Sequence, residues 1–356
     1  AYQKELAIFT ADMTAFQTEK AIKQAEFSTR QAAIDSERAA LEELDPETDP
    51  SVAERLTALD EEQAALDAER AALAQADGDA LGALGIVRQR QAAIVALARR
   101  YEFAASPMMM DLSVEAEAFG AKIKLSEDEV PVVIGAVLHD CSEVAALAIP
   151  SLSAGRIPLY LDAARLAAAE VTDRPVFAGC IGPFSLAGRL FGMTEIMTEM
   201  LMDPDGILAL LEKCTVFLET YLQAFAATGV NGVIIAEPAA GLLSPAQCDE
   251  FSSVFVRRLI AKVQNEHFAV VLHNCGNTGG QNPSMLSTGA WGLHFGNKID
   301  MVKTLAELPS DVLLMGNIDP AGVFRMGTPE LVLTETTRLL EATAAYPNFI
   351  VSSGCD

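Results

Sequence analysis

Beyond residue 101 the chain repeats one pattern, a short apolar run followed by a stretch of helical periodicity. The runs occupy 103–109, 175–180, 230–235, 269–272, 291–295, 312–315 and 349–351, and amphipathic stretches such as 204–228, 245–266 and 329–345 lie between most of them. Short runs that are apolar on both faces read as buried parallel strands, and parallel neighbours need helical crossovers. Seven or so such repeats favour a closed barrel over an open sheet. The expected fold class is therefore α/β: a (β/α)8 TIM barrel over 101–356, with chemistry at the C-terminal ends of its strands.

Those ends carry metal-ligand chemistry. His273 and Cys275 stand two residues apart near the end of the run that begins at Phe268, and residues i and i+2 of a strand share one face. Cys355 closes another apolar run, residues 348–355. A lone strand histidine is usually a satisfied core group, and a lone cysteine behaves as a small hydrophobe. Here the pair sits where a strand gives way to Asn and Gly, which is loop chemistry. Two thiolates and one imidazole are the usual protein ligands of a zinc ion that keeps its fourth position open. Cys180 and His294 are the side chains that could close that position.

Other polar residues fall at strand ends too: Asp111, Glu237, His294, Asn317 and Asp319. Glu237 suits a fourth ligand displaced by substrate, an acid/base group, or a cap on the following helix. His294 suits a catalytic contact with substrate or a buried hydrogen-bonded position. Asn274, Asn277 and Asn317 suit loop-shaping roles or contacts behind the ligands of a bound cofactor.

Composition limits the partners. The 356 residues are 51% hydrophobic and carry a formal net charge of -24, which repels nucleic acid and anionic lipid in bulk. Neither nucleic acid nor membrane is an expected partner. Six cysteines without framework spacing suit a reducing, cytoplasmic location. No signal peptide and no apolar run long enough to span a bilayer is visible.

Residues 1–100 read as a helical extension rich in Ala, Glu, Gln and Arg. Val52, Leu59, Leu66 and Leu73 recur every seven residues, opposite Ile34, Leu41 and Leu44. Two prolines break the chain between these stretches, so 30–75 is expected to form an antiparallel helical hairpin. It serves either as a solvated extension or as a docking surface for a partner protein or for a second subunit, making a homodimer.

Four stretches resemble the uroporphyrinogen decarboxylase superfamily: Met110-Asp111-Leu-Ser-Val-Glu115-Ala-Glu-Ala-Phe-Gly120, Arg174-Pro-Val-Phe-Ala-Gly-Cys-Ile-Gly-Pro-Phe-Ser-Leu-Ala187, Ala236-Glu237-Pro-Ala-Ala-Gly-Leu-Leu-Ser244-Pro, and Gly316-Asn317-Ile-Asp319-Pro320. The resemblance implies a (β/α)8 barrel and one of two chemistries, a metal-free porphyrinogen decarboxylation or a zinc-dependent methyl transfer with corrinoid proteins. The decarboxylases share an N-terminal Arg-Gln-Ala-Gly-Arg segment that binds substrate carboxylates, and nothing before Tyr101 matches it. Cys355 stands where they have a histidine. The pattern resembles instead the cobamide-dependent methyltransferases, in which His273, Cys275 and Cys355 correspond to the zinc ligands.

That branch implies Zn2+ and a corrinoid carried by a partner, a corrinoid-binding protein, with a thiol, methyl ether or methylamine as the small substrate. Asp111 matches the decarboxylases' catalytic aspartate and is assigned substrate orientation. The alternatives are a decarboxylase-like lyase and an inactive assembly protein that keeps zinc for structure. Two departures from the barrel pattern stand out. The hairpin occupies the place of the first strand, and the closing helix expected beyond Cys355 is missing, so the sequence reads as truncated.

Overall fold

The computed structural model describes residues 22–23, 25–42, 44, 50–124, 130–277 and 279–355, with the backbone alone at 50 and over 70–90. The chain divides into two compact units, 1–86 and 87–356.

In the first unit, helix α1 (residues 25–42) lies along helix α2 (Pro50–Arg100). Leu59, Leu66 and Ile34 are buried together, with Phe27 and Leu41 packed against them. Val52 is buried as well, so the seven-residue spacing lands on one face of α2 as expected. Polar pairs flank the seam: Arg30–Glu69 at 2.6 Å, Arg38–Asp60 at 2.7 Å and Arg55–Glu37 at 2.5 Å. Partner numbers fall along α2 as they rise along α1, so the helices are antiparallel. These pairs are exposed to solvent and screened by it, so the buried leucines dominate. Leu44, expected on the same stripe, is 52% exposed because it lies past the end of α1. The link 45–49 and the side chain of Leu73 lie outside the described residues.

The second unit is built on seven parallel strands in sequential order: β1 (Ser106–Pro107), β4 (Val176–Ile181), β5 (Gly232–Ala236), β6 (Ala269–Asn274), β7 (Gly292–Phe295), β8 (Leu313–Ile318) and β9 (Phe349–Ser353). A small antiparallel ribbon, β2 (Lys122–Lys124) with β3 (Val132–Ile134), stands apart from the sheet. Helices cross between successive strands, among them Pro204–Ala227 after β4, Val254–Val263 after β5 and Pro329–Thr343 after β8. The sheet curls in the manner of a TIM barrel. Its described strands number seven, the first of them, β1, following α2 directly.

The crossover helix Pro204–Ala227 shows why these residues pack as they do. Asp203 caps it by accepting from the Gly206 N–H at 3.0 Å. Phe217, Tyr221 and Phe225 fall at i, i+4 and i+8, on one buried face, with Phe119 edge-on to Phe217 at 5.2 Å. From α2, Ile94, Val95 and Ala98 join the same core. Among the described residues no helix is long and apolar enough to cross a membrane.

Candidate metal centre

Strand register brings the site together. Ala236 pairs with His273, and His273 with His294, so β5, β6 and β7 end level with one another. The Glu237 N–H donates to the His273 carbonyl at 2.8 Å and fixes that edge.

Just past β6 the chain turns on Asn274. Its Oδ1 accepts from the Gly276 and Asn277 N–H groups, each at 3.1 Å, and its Nδ2 donates to Gln281 Oε1 at 3.0 Å. Gln281 in turn donates to the carbonyls of Ala240 and Leu243. Asn274 thus lies on the opposite face from His273 and shapes the turn that carries Cys275. Asn277 extends the same frame by accepting from Gly279 and Gln281. Two glycines let three loops meet here. A Cβ on Gly296 would lie 2.3 Å from the Cys275 carbonyl oxygen, and one on Gly354 would lie 2.6 Å from the Asn297 nitrogen.

The result is a compact set of donors. Ligand atoms of His273, Cys275 and Cys355 lie within 4.8 Å of one another, and Cys355 Sγ is 3.7 Å from His273 Nε2. Tetrahedral zinc, with bonds of about 2.3 Å to sulfur and 2.0–2.1 Å to nitrogen, sets adjacent donors about 3.5–3.8 Å apart. The two thiols and one imidazole are zinc-binding donors, and the Cys355–His273 pair has that spacing. The hydrogen bond with Cys275 pushes the Cys355 thiol pKa up, while the hydrogen bond with His273 pulls it down. Two sulfurs crowded in this way favour a dication that would take both as thiolates. His273 is buried and both cysteines are half-buried. Among the described residues these three form the only such group, and Cys180 lies buried in the apolar core instead.

Of the other sequence candidates, His294 reaches the group through its side chain. Its Nδ1 is 2.6 Å from His273 Nδ1, and its Nε2 is 2.8 Å from Ser352 Oγ and 2.9 Å from the Ser353 carbonyl oxygen. Glu237 is fully buried outside the donor set. Its carboxylate accepts from the Phe184 and Ser185 N–H groups at 2.8 Å each and from Ser252 Oγ at 3.2 Å. It thus seats on the N-terminus of the helix Pro183–Phe191, which follows β4 rather than β5. Burial pushes its pKa up against those hydrogen bonds.

Asp111 sits in a separate buried cluster. One oxygen accepts from Arg156 and from Tyr160 Oη, the other from Ser113 N and Oγ. Burial alone would raise its pKa, but Ser113 and Arg156 hold it below the usual carboxylate range. Beside it Glu115 is pushed up to about 7, chiefly by burial; one oxygen accepts from Ile181 N and the other has no partner among the described residues. Asn317 donates to the carbonyls of Gly296 and Ile299, tying β8 to the loop after β7, and Asp319 caps the turn Pro320–Arg325.

Sequence reasoning passed over Gly296, Gly354, Ser352 and Ser353. The glycines flanking His294 and Cys355 were the available signal, since a backbone packed against backbone admits no Cβ. Arg156 and Tyr160 gave none, because their partner Asp111 lies 45 and 49 residues away.

Residues 90–356, three quarters of the chain, match the family model described as uroporphyrinogen decarboxylase (URO-D). The chain belongs to the URO-D family. Within reach of this family membership lie two kinds of relative. The methylcobamide:CoM methyltransferase MtbA of Methanosarcina acetivorans is 27% identical over 257 residues, 71% of this chain and 74% of its own. The uroporphyrinogen decarboxylase of Neisseria gonorrhoeae is 27% identical over 252 residues, 68% of this chain and 70% of its own. A solved methyltransferase from Methanosarcina mazei superposes with a TM-score of 0.69 at 23% identity, covering 76% of this chain and 79% of that one, and shares the fold.

Proposed function

We propose that the protein is a zinc-dependent methyltransferase that moves a methyl group between a small substrate and the corrinoid of a partner protein. The observation that carries this reading is the convergence of His273, Cys275 and Cys355 donors at the C-terminal ends of barrel strands. Methyltransferase relatives named for methylcobamide support it.

Zinc, when bound, would act as a Lewis acid toward a substrate heteroatom, lowering a thiol's pKa or polarising a methyl ether or methylamine. His273 supplies a neutral nitrogen donor, and Cys275 and Cys355 supply two negative charges, so the centre is close to neutral and leaves one position for the heteroatom. With a thiol, the donors of His273, Cys275 and Cys355 would hold zinc, and the thiol, its proton lost to solvent, would present a thiolate sulfur able to take the methyl group from the partner's methyl-corrinoid. With a methyl ether or methylamine the transfer would run toward the reduced corrinoid, the alcohol or amine left behind taking up a proton. Asp111, clamped by Arg156 and Ser113, remains ionised and suits a fixed orienting charge.

Metal analysis tests the reading. Purified protein should hold one zinc per chain, and Cys275→Ser should hold much less; equal zinc in both would sink it. Turnover of uroporphyrinogen would favour the decarboxylase chemistry of the other relatives.

A further inference from the structure

The two imidazoles at the ends of β6 and β7 are hydrogen-bonded to one another and on to the end of β9, which bears on which nitrogen of His273 carries the proton. The Ser353 carbonyl oxygen can only accept, so His294 Nε2, 2.9 Å away, carries its proton. The Ser352 hydroxyl does not compete for that role, since it has the same carbonyl as its own acceptor at 3.0 Å. In a neutral ring the other nitrogen is then an acceptor. His294 Nδ1 faces His273 Nδ1 at 2.6 Å, so His273 must donate there. Its Nε2 is left with a lone pair, and that atom is the one 3.7 Å from Cys355 Sγ.

On this basis, and resting on the zinc reading above, we infer that His294 is a positioning residue: it passes a proton-donor constraint from the Ser353 carbonyl to His273, fixing the tautomer whose Nε2 can bind metal. Metal-bound imidazoles generally hand their second N–H to a carboxylate, a carbonyl or water. Here a second imidazole stands between the ligand and the carbonyl. The arrangement also couples two ligands, because Ser353 and Cys355 lie two residues apart at the end of β9, and the segment that orients His273 therefore also carries a thiolate. Substrate contact by His294 is not required, since both of its ring nitrogens are already engaged.

The test compares His294→Phe, which keeps ring bulk without an acceptor, and His294→Asn, whose Oδ1 can replace Nδ1 as acceptor. Zinc affinity is read by competition with a chromophoric chelator, and the His273 tautomer by long-range proton–nitrogen NMR on labelled full-length protein without metal. Phe should weaken zinc 10- to 100-fold and release the tautomer; Asn should stay within about threefold of the wild type. Wild-type affinity in the Phe variant, equal loss in both variants, or a wild-type His273 protonated at Nε2 would overturn the relay. If the Phe variant fails to fold, the Asn variant and the wild-type tautomer still decide. Wild-type protein that takes up no zinc would overturn the zinc reading instead, and the His273 tautomer would still be read.

Discussion

Gly296 packs against Cys275 backbone to backbone, so closely that a Cβ on the glycine would sit 2.3 Å from the cysteine's carbonyl oxygen. Gly296→Ala must displace the turn that presents one of three donors. The expected result is a barrel that folds with about 1–3 kcal/mol less stability and binds zinc at least tenfold more weakly. Gly280→Ala, where the nearest atom is 3.9 Å away, is the control and should change neither. Unfolding curves and chelator competition on both variants check this.

Glu237 gives a different signature. Its carboxylate satisfies two backbone N–H groups and a serine hydroxyl, so Glu237→Ala should cost about 1–3 kcal/mol by leaving buried donors unpaired. Zinc content should stay unchanged. Loss of the metal in this variant, measured by elemental analysis, would return the carboxylate to the ligand set.

His273 and Cys275 were readable as a candidate pair from their i, i+2 spacing, although Cys275 lies in the turn just past β6 rather than on the strand. The partner of His294 was not, since it depends on the pairing of β6 with β7, and register between strands 21 residues apart is set by crossover geometry. Glu237 illustrates the same limit: a displaced ligand, an acid/base group and a cap on the following helix were the local readings, and the carboxylate instead reaches the helix of the preceding strand–helix unit. The heptad stripe was legible in Leu59 and Leu66, while Leu44 fell off it where α1 ends.

Glu115 should make stability depend on pH. Its folded pKa of about 7 lies above the ordinary carboxyl value, so the native state holds a proton that the unfolded chain releases. Stability from this group is fully present below about pH 4.5, falls as pH rises, and is lost above about pH 7, a change on the order of 3 kcal/mol. Denaturant unfolding at pH 5 and pH 8 should show the drop in wild type and a smaller one in Glu115→Gln. Equal drops would place the effect elsewhere.

We propose that the hairpin is an extension separable from the barrel, as its own buried seam of Ile34, Leu59 and Leu66 suggests. Leu66→Ala should loosen the hairpin by about 2–5 kcal/mol while leaving zinc content intact. A chain starting at Val87 should still fold and bind zinc. Failure of that truncated chain to fold would make the hairpin part of the barrel's structure.

Corrinoid absorbance tests the central claim most directly, because cob(I) and methyl-cob(III) states absorb differently. Zinc-loaded protein, given methylcobalamin with a panel of thiols, or cob(I)alamin with methyl ethers and methylamines, should convert one state to the other. Metal-stripped protein and Cys355→Ala should not. If no member of the panel produces a zinc-dependent spectral change, with free cobalamin or with a corrinoid protein, the methyltransferase account is contradicted.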